Sequence, residues 1–373
     1  MICITKRMTR TITATLLAGG LLAASAGCSA STPEAASTAA TGGGSTAAPA
    51  HITIATPTPA GTPAGVPIWT GELNGFFAEE NLTVDVVTFP GQPANAVATV
   101  IAGQADLVIS APAALIVPTA NQGPQGLTWI FTPYQAPTFA IAVLDDSKIK
   151  DAGDLEGKTV AMPSTGAPFE PFMKANITGE GGDPSGVQVV AVAGAAAVEQ
   201  LRQGSVDAIV MNPGDIAQAA AATGTELRML PLSDNVANDI GAGFLMRSDS
   251  TDAEKDVYAR YLRAYLKSAI FAKTNPEAAL AMNFQLYPAA KPADAAQEKA
   301  ALANLEATLK LFVPASDGTW GYISPERWDA AIAGLGLTDK IADPSVLFDN
   351  SLLETIGDFD AAAVEKQAAA HDK

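Results

Sequence analysis

Small polar residues stand directly after three short apolar runs of this chain, where buried strands are expected to end. Their hydroxyl, amide and carboxylate groups supply hydrogen-bond donors and acceptors. Backbone N–H groups at a helix start also attract acceptors and anions. This pattern favours reversible binding of a small solute, with one tryptophan as an aromatic partner. The candidate ligand-binding residues are Trp69, Ser110, Ala111, Ser164, Thr165, Gly166, Asn212 and Asp215.

Each of these candidates also has a purely structural interpretation. Ser164 and Thr165 are residues that typically cap helices. Trp69 lies at helical spacing from other apolar residues, as core aromatics do. Asn212 precedes Pro-Gly and could brace its own turn. Both interpretations stay open at this point.

Few side chains of the chain are suited to catalysis. The two histidines, His51 and His371, lie near the two ends of the expected folded part. A Ser-His-Asp triad and a His-rich metal site therefore lack their residues. The acidic pairs Glu79-Glu80 and Asp145-Asp146 are more typical of solvated turns and helix caps. The P-loop pattern GxxxxGK[ST] does not occur. We expect a binding protein without a cofactor or a metal, and not an enzyme.

The charges and aromatic residues of the candidate loops indicate which class of ligand to expect. No Lys or Arg falls in the loops around the candidate residues, which carry the carboxylates of Glu170 and Asp215. A small anion usually benefits from a cationic partner. We therefore expect an uncharged or weakly basic heteroaromatic ring, such as a pyrimidine-type compound, with sulfonate, taurine or nitrate as the alternatives. The aromatic residues of these loops are Trp69, Phe131, Tyr134, Phe169 and Phe172.

Two stretches with one pattern indicate two similar α/β lobes. Ala96–Ala114 and Ala197–Asp215 each read as a helix end, a Gly break, a short apolar strand and a loop opening with Pro. Gly suits the left-handed position that ends a helix. Loops at the carboxyl ends of such strands are where open α/β sheets bind ligands. The matching residues are Gly103, Asp106 and Pro112 in the first copy and Gly204, Asp207 and Pro213 in the second.

The segment Asp154–Ala167, DLEGKTVAMPSTGA, carries the most specific signature. It resembles the substrate-binding proteins of bacterial ABC importers, in the nitrate/sulfonate/taurine and thiamine-pyrimidine-precursor (NMT1/THI5-like) group. Pro67–Val84 is similar to that family's helix ending in Gly-Phe-Phe before a Gly-Leu-x-Val motif, with Asn81 in place of the Gly that usually opens the second motif. Eukaryotic pyrimidine synthases of the same fold depend on an internal His, which this chain lacks.

The resemblance implies an α/β, two-lobed periplasmic-binding-protein fold of type II with a hinge between the lobes. Two crossings between the lobes are expected near Phe139–Leu144 and Ala242–Arg247. Lobe one would then comprise residues 51–142 and 243–373, and lobe two residues 143–242. The implied partners are a small-molecule solute and a membrane permease with its ATPase.

The N-terminus reads as an export signal followed by a tether. Basic residues precede the apolar run Thr11–Ala26, which is too short for a comfortable membrane span. Ser25-Ala26-Gly27-Cys28 resembles a lipobox, so residues 1–28 are expected to be a lipoprotein signal with lipidation at Cys28. Cleavage after Ala26 is the alternative. Residues 29–50 have the Ser/Thr/Ala/Gly/Pro composition of a flexible linker.

These features predict a protein anchored by lipid on the extracytoplasmic face of the cell membrane, with a secreted or periplasmic protein as the alternative. The formal net charge of −17 over 373 residues argues against nucleic acid as a partner. We expect a monomer.

Overall fold

The computed structural model describes residues 47–166, 168–237 and 240–371. The expected signal, with Cys28, and the expected tether as far as residue 46 lie outside the described residues. The last tether residues are held by the folded part. The Ala47 carbonyl accepts from Asn81 Nδ2 at 3.0 Å, and the Ala48 carbonyl from Arg260 Nη1 at 3.2 Å. None of the helices within the described ranges has the length and apolar content of a membrane span.

The first lobe is built on a five-stranded sheet in the order β2-β1-β3-β10-β4. Its central strands are apolar on both faces, as expected for strands covered by helices on both sides. The strands β2, β1 and β3 are parallel, and β10 runs antiparallel between β3 and β4. The strands are β1 (Ala50–Thr56), β2 (Leu82–Thr88), β3 (Leu107–Ser110), β4 (Leu127–Phe131) and β10 (Gly243–Arg247).

The second lobe repeats this arrangement in the order β7-β6-β8-β5-β9, with β5 antiparallel between β8 and β9. Each sheet therefore has one antiparallel strand at the same place, next to a crossing between the lobes. The expectation of an α/β protein with two similar lobes is confirmed. The strands are β5 (Ala140–Leu144), β6 (Thr159–Met162), β7 (Gln188–Ala191), β8 (Ala208–Met211) and β9 (Leu227–Met229).

Sheet membership locates the crossings at residues 132–139 and 230–242. Strand β5 lies with its whole length in the second sheet, so that sheet begins at Ala140. The expected boundary, after residue 142, lies three residues later. The two crossings touch each other, because a Cβ on Gly241 would come within 2.4 Å of the Tyr134 carbonyl oxygen. Glycine at this position permits the close approach of the two chains.

The two copies of the repeated pattern make the same hydrogen bonds. Asp106 accepts from the Thr53 backbone N–H at 2.7 Å, and Asp207 accepts from the Thr159 backbone N–H at 2.9 Å. In each lobe the aspartate lies just before a strand, β3 or β8. Its carboxylate binds the backbone of the neighbouring parallel strand, which is β1 in lobe one and β6 in lobe two. The repeated aspartate therefore fixes the position of β3 and β8 in their sheets.

Helices cover both faces of each sheet. The segment Pro67–Val84, expected to carry one helix ending in Gly-Phe-Phe, contains most of one short helix and all of a second, because Gly75 takes a left-handed conformation (φ 85°) before the second. Lobe two contains α5 (Phe169–Gly179), α6 (Gly194–Arg202) and α7 (Pro213–Thr223), and α8 (Asp234–Ala237) lies in the second crossing. The other helices are α1 (Val66–Trp69), α2 (Phe76–Glu79), α3 (Pro93–Ile101), α4 (Ala113–Gln122), α9 (Asp252–Thr274), α10 (Pro276–Leu286), α11 (Ala295–Lys310), α12 (Pro325–Gly334), α13 (Leu353–Gly357) and α14 (Ala361–Ala370).

Candidate functional site

The strand registers place the candidate loops beside the crossings. In the first sheet Gly243, where the second crossing ends, pairs with Ser110. In the second sheet Ala140, where the first crossing ends, pairs with Met211. The loops after β3 and β8 therefore both lie at the sheet edges from which the lobes are joined. These edges are the carboxyl ends of parallel strands, where open α/β sheets bind ligands.

In lobe one the loop after β3 contributes Ser110 and Ala111. Ser110 is only 3% exposed, and its Oγ has no hydrogen-bond partner within the described part of the chain. Ala111 is half-buried and leads into α4. A buried hydroxyl without a partner is costly, so Ser110 is a group that a water molecule or a bound solute would stabilise.

In lobe two the turn after β6 is open to solvent. Ser164 and Thr165 are exposed. The next helix, α5, begins only at Phe169, with Pro168 in the N-cap position, so neither hydroxyl residue caps it. The structure thus removes the helix-cap interpretation of Ser164 and Thr165. Both side chains lie where a solute could reach them.

The backbone of this turn is engaged by a carboxylate. The Gly166 N–H donates to Glu170 Oε2 at 2.9 Å, and Lys174 Nζ lies 2.9 Å from Glu170 Oε1. Hydrogen bonding to Lys174, followed by the bond from Gly166, holds the pKa of Glu170 below its usual value. A negative charge of the protein itself therefore lies at the start of α5, where an anion would otherwise bind.

The loop after β8 contributes Asn212 and Asp215. Asn212 is the N-cap residue of α7, but its side chain makes no cap hydrogen bond. Asp215 Oδ1 accepts from Asn304 Nδ2 on α11 at 3.1 Å. The Asp215 side chain is open to solvent on one side, while surrounding protein removes part of its hydration. This desolvation raises the pKa of Asp215, and the bond from Asn304 lowers it in part.

Trp69 is placed in the core of lobe one. It is 3% exposed, its Nε1 donates to Asn283 Oδ1 at 2.7 Å, and its ring meets Tyr287 edge-on at 5.1 Å. Asn283 also donates from Nδ2 to the Gly61 carbonyl at 2.7 Å. Trp69 and Asn283 therefore hold the loop after β1 in place, and little of the indole surface is available to a solute.

Two partly exposed phenylalanines lie where the first crossing enters lobe two. The rings of Phe139 and Phe169 meet at a centroid distance of 5.1 Å, and Phe172 packs on Phe139 at 5.7 Å. Sequence reasoning identified Phe169 and Phe172 as loop aromatics but assigned Phe139 to a crossing strand. The available signal was the position of Phe139 just after Thr132–Pro137, a loop segment with two prolines.

One arginine reaches the first crossing from outside the candidate loops. Arg327 on α12 donates from Nη1 to Gln135 Oε1 at 2.8 Å. Gln135 Nε2 in turn donates to the Thr132 and Tyr322 carbonyls at 3.0 and 3.1 Å. This cation is distant in sequence from every candidate loop, so a search of those loops could not find it. It braces the start of the crossing.

The histidines lie outside this site. His51 pairs with Asp85 across β1 and β2 at 2.9 Å, and the His371 ring packs edge-on against Phe271. Within the described ranges, no three His, Cys, Asp or Glu residues are grouped as a metal site would require.

The family profile described as "NMT1/THI5 like" matches residues 62–279. A formylaminopyrimidine-binding protein of Halalkalibacterium halodurans is 30% identical over 138 residues, or 37% of this chain and 40% of that protein. The matched region thus spans less than half of this relative.

Two solved structures share the architecture. The periplasmic aliphatic sulphonate binding protein SsuA of Escherichia coli has a TM-score of 0.60 at 17% identity, covering 78% of this chain and 87% of that one. The alkanesulfonate-binding protein SsuA of Xanthomonas axonopodis pv. citri, bound to MOPS, has a TM-score of 0.55 at 16% identity, covering 83% and 98%. At such identities the likeness concerns the fold. The family profile covers more than half of the chain, which therefore belongs to the NMT1/THI5-like family and has the fold of periplasmic binding proteins.

Proposed function

We propose that this protein is the extracytoplasmic solute-binding component of an ABC importer and that its ligand is a neutral or weakly basic heteroaromatic compound of the pyrimidine type. The ligand binds between the lobes, at the loops that follow β3, β6 and β8. Membership of a family whose relatives bind small solutes supports the general role. The choice of ligand class rests on the charges at the site.

The observation that carries this choice is the contact between Glu170 and Gly166. The start of a helix attracts anions because its N–H groups are free and its dipole is positive. Just before α5, the loop amide of Gly166 already donates to the Glu170 carboxylate in the first turn of that helix. The first turn of α7 also carries a carboxylate, Asp215. An anionic ligand would meet the carboxylate of Asp215 and that of Glu170, which Lys174 balances in part, whereas a neutral or weakly basic ring would not be repelled.

The site offers suitable partners for such a ring. The paired rings of Phe139 and Phe169 present partly exposed faces, and stacking of aromatic rings contributes about 0.5–1.5 kcal/mol beyond buried area. Asp215 accepts N–H donors from ring amino groups. The hydroxyls of Ser164 and Thr165 hydrogen-bond to ring nitrogens. The relative that binds formylaminopyrimidine supports the same chemistry.

A sulfonate or nitrate ligand is the second candidate. The solved sulfonate-binding neighbours favour it, since they share the fold over most of both chains. A sulfonate could bind the N–H groups of α7 or α4 without a cation. The carboxylates of Glu170 and Asp215 count against this ligand.

The direct experiment is native mass spectrometry of the purified protein to identify any co-purifying solute, followed by thermal shifts with a panel of compounds. A ligand that binds only the folded state raises the melting temperature, because it stabilises that state by RT ln(1 + L/Kd), where L is the free ligand concentration. Shifts with aminopyrimidines and none with taurine or nitrate support the proposal. Saturable shifts with taurine or nitrate alone reject the ligand class.

The importer role implies that the protein is held at the membrane and that it binds its solute without converting it. We propose that Cys28 is lipidated and that residues 29–46 connect it to the folded part, so the protein works beside a permease and its ATPase as a monomer. A secreted enzyme on the same fold is the rival. Steady product formation from a bound compound would overturn the binding role.

A further inference from the structure

Helix α11 has two chemically different faces. Leu305 and Leu309 are fully or almost fully buried in the core of lobe one, beside Tyr265 and Phe312. An adjacent face, about 100° away around the helix, carries Asn304 towards α7 of lobe two. One helix of the C-terminal segment therefore contacts both lobes, through apolar groups on one face and polar groups on the other.

The contact between α11 and α7 is unusually close. A Cβ on Gly214 would come within 2.4 Å of Thr308 Oγ1 and 2.9 Å of the Asn304 carbonyl oxygen. Only glycine lets the first turn of α7 approach the α11 backbone to this distance. The two helices thus meet at the end of α7 that carries the ligand residue Asp215.

Asn304 joins this contact by its side-chain amide. It is 2% exposed, and Nδ2 donates to Asp215 Oδ1 at 3.1 Å and to Gln218 Oε1 at 2.9 Å. Asp215 Oδ2 has no partner within the described residues and lies on a side chain open to solvent. Asn304 therefore holds one carboxylate oxygen and leaves the other for a donor from a ligand.

The two faces of α11 differ in the free-energy cost of separating each face from the lobe that it contacts. Exposing Leu305 and Leu309 to water would lose buried apolar area, with a free-energy cost proportional to that area. The hydrogen bonds of Asn304 exchange for bonds to water with a small net change. The packing of α7 on α11 is extensive, so opening of the lobes would have to break this packing together with the Asn304 hydrogen bonds, whereas the buried leucines favour keeping α11 on lobe one.

We propose that Asn304 is a positioning residue of the ligand site and that its contact with Asp215 and Gln218 is a latch, formed only when the lobes are closed. This inference rests on the proposed solute-binding function. The latch couples closure to recognition, because the same hydrogen bond orients Asp215 towards a ligand N–H group and ties the two lobes together.

Two variants of the full chain test the latch. In Asn304→Asp an amide donor becomes a carboxylate beside Asp215, so the two groups repel at pH 7. In Gly214→Ala a methyl group forces the helices apart. The matched control is Glu306→Gln, which changes an exposed residue of α11. Small-angle scattering of the ligand-free protein and hydrogen exchange of the α7 amides report on opening without any ligand.

The latch keeps the closed form populated in the ligand-free protein, so it predicts a larger radius of gyration and faster exchange in α7 for both variants, and no change for Glu306→Gln. Lowering the pH to about 4, near the carboxylate reference value, lets the two carboxyl groups of Asn304→Asp share a proton. The compact form then returns in that variant alone. A packing defect would not respond to pH, so expansion that persists at pH 4 rejects the latch, as does wild-type behaviour of both variants.

Ligand affinity gives the second readout. Losing one or two ordinary hydrogen bonds changes an equilibrium by about tenfold, so Asn304→Asp should weaken binding of an aminopyrimidine by at least that factor at pH 7. If wild-type protein binds none of the tested solutes, the proposed ligand class fails while the scattering result still decides the latch. Equal affinity of variant and wild type would contradict the positioning role.

Discussion

The carboxylate of Glu170 accepts a hydrogen bond from the backbone N–H of Gly166 at 2.9 Å. The protein therefore already places a negative charge of its own beside the turn that follows β6. Lys174 balances this charge from one turn further along α5. The arrangement makes the start of α5 a poor anion site. It also joins Gly166 to the first turn of α5.

Replacing Glu170 by Gln should make the site more tolerant of anions. The amide keeps the size of the side chain but removes the negative charge, and Lys174 then loses its partner. We expect thermal shifts with taurine or nitrate to appear or increase relative to wild type. The control is Glu199→Gln on α6, which removes a carboxylate paired with Arg202 on the helix surface. Equal responses of both variants would contradict the role of Glu170.

The pH dependence of stability should carry the signature of Asp215. Desolvation raises its pKa in the folded state, so ionisation costs folding free energy as the pH rises through the unfolded and then the folded pKa. Below both values the cost is absent. Asp215→Asn removes the ionisation and keeps an acceptor for Asn304. Chemical denaturation should show the variant gaining stability relative to wild type at pH 7, with the gain vanishing in acid. A gain of constant size at all pH values would contradict the shift.

Glu170 should act in the opposite direction. Its pKa is lowered in the folded state, first by Lys174 and then by Gly166. It therefore contributes stability above its unfolded pKa, and that contribution is lost as the pH falls through the lower folded value. In Glu170→Gln this part of the acid destabilisation should be missing. The free energy of unfolding is measured by urea titration at a series of acidic pH values. If it falls equally in Glu170→Gln and wild type, the Glu170–Lys174 pair makes no net stabilising contribution.

Asn283→Ala should destabilise lobe one. The substitution leaves the Trp69 indole N–H and the Gly61 carbonyl without their partner, and each buried unsatisfied group costs about 1–3 kcal/mol. Asn121→Ala, at an exposed site on α4, should change the free energy of unfolding by less than about 0.5 kcal/mol. Similar losses in the two variants would argue that Trp69 is not held by Asn283.

Lipidation of Cys28 can be tested by fractionation. We expect wild-type protein to partition into detergent with the membrane fraction and Cys28→Ser to be released. Wild-type protein found entirely in the medium would favour cleavage after Ala26.

Local patterns predicted the framework of this protein well. Gly103 and Gly204 both take the left-handed conformation that ends a helix, with φ of 68° and 70°, and the repeated aspartates make equivalent hydrogen bonds. Such features depend on residues close in sequence or on a strand neighbour in the same sheet. Spacing predicted the helix ends and the equivalence of the two aspartates, whereas their bonds, to residues 53 and 48 positions away, became visible only in the structure.

The charge balance of the site depended on contacts that spacing does not show. The bond from Gly166 to Glu170 requires a particular loop conformation, and Asn304 lies 89 residues from Asp215 in sequence. Trp69 was expected at the ligand, yet Asn283, 214 residues away, satisfies its N–H in the core. Long-range side-chain partners decide these roles, and they follow from tertiary packing.

The central claim is that the site selects a neutral or weakly basic heteroaromatic ring over an anion. Isothermal titration of the full chain with an aminopyrimidine and, separately, with taurine at equal ionic strength tests it most directly. The account predicts saturable one-to-one binding of the aminopyrimidine and no measurable heat with taurine. Saturable binding of taurine with no response to the aminopyrimidine would contradict it.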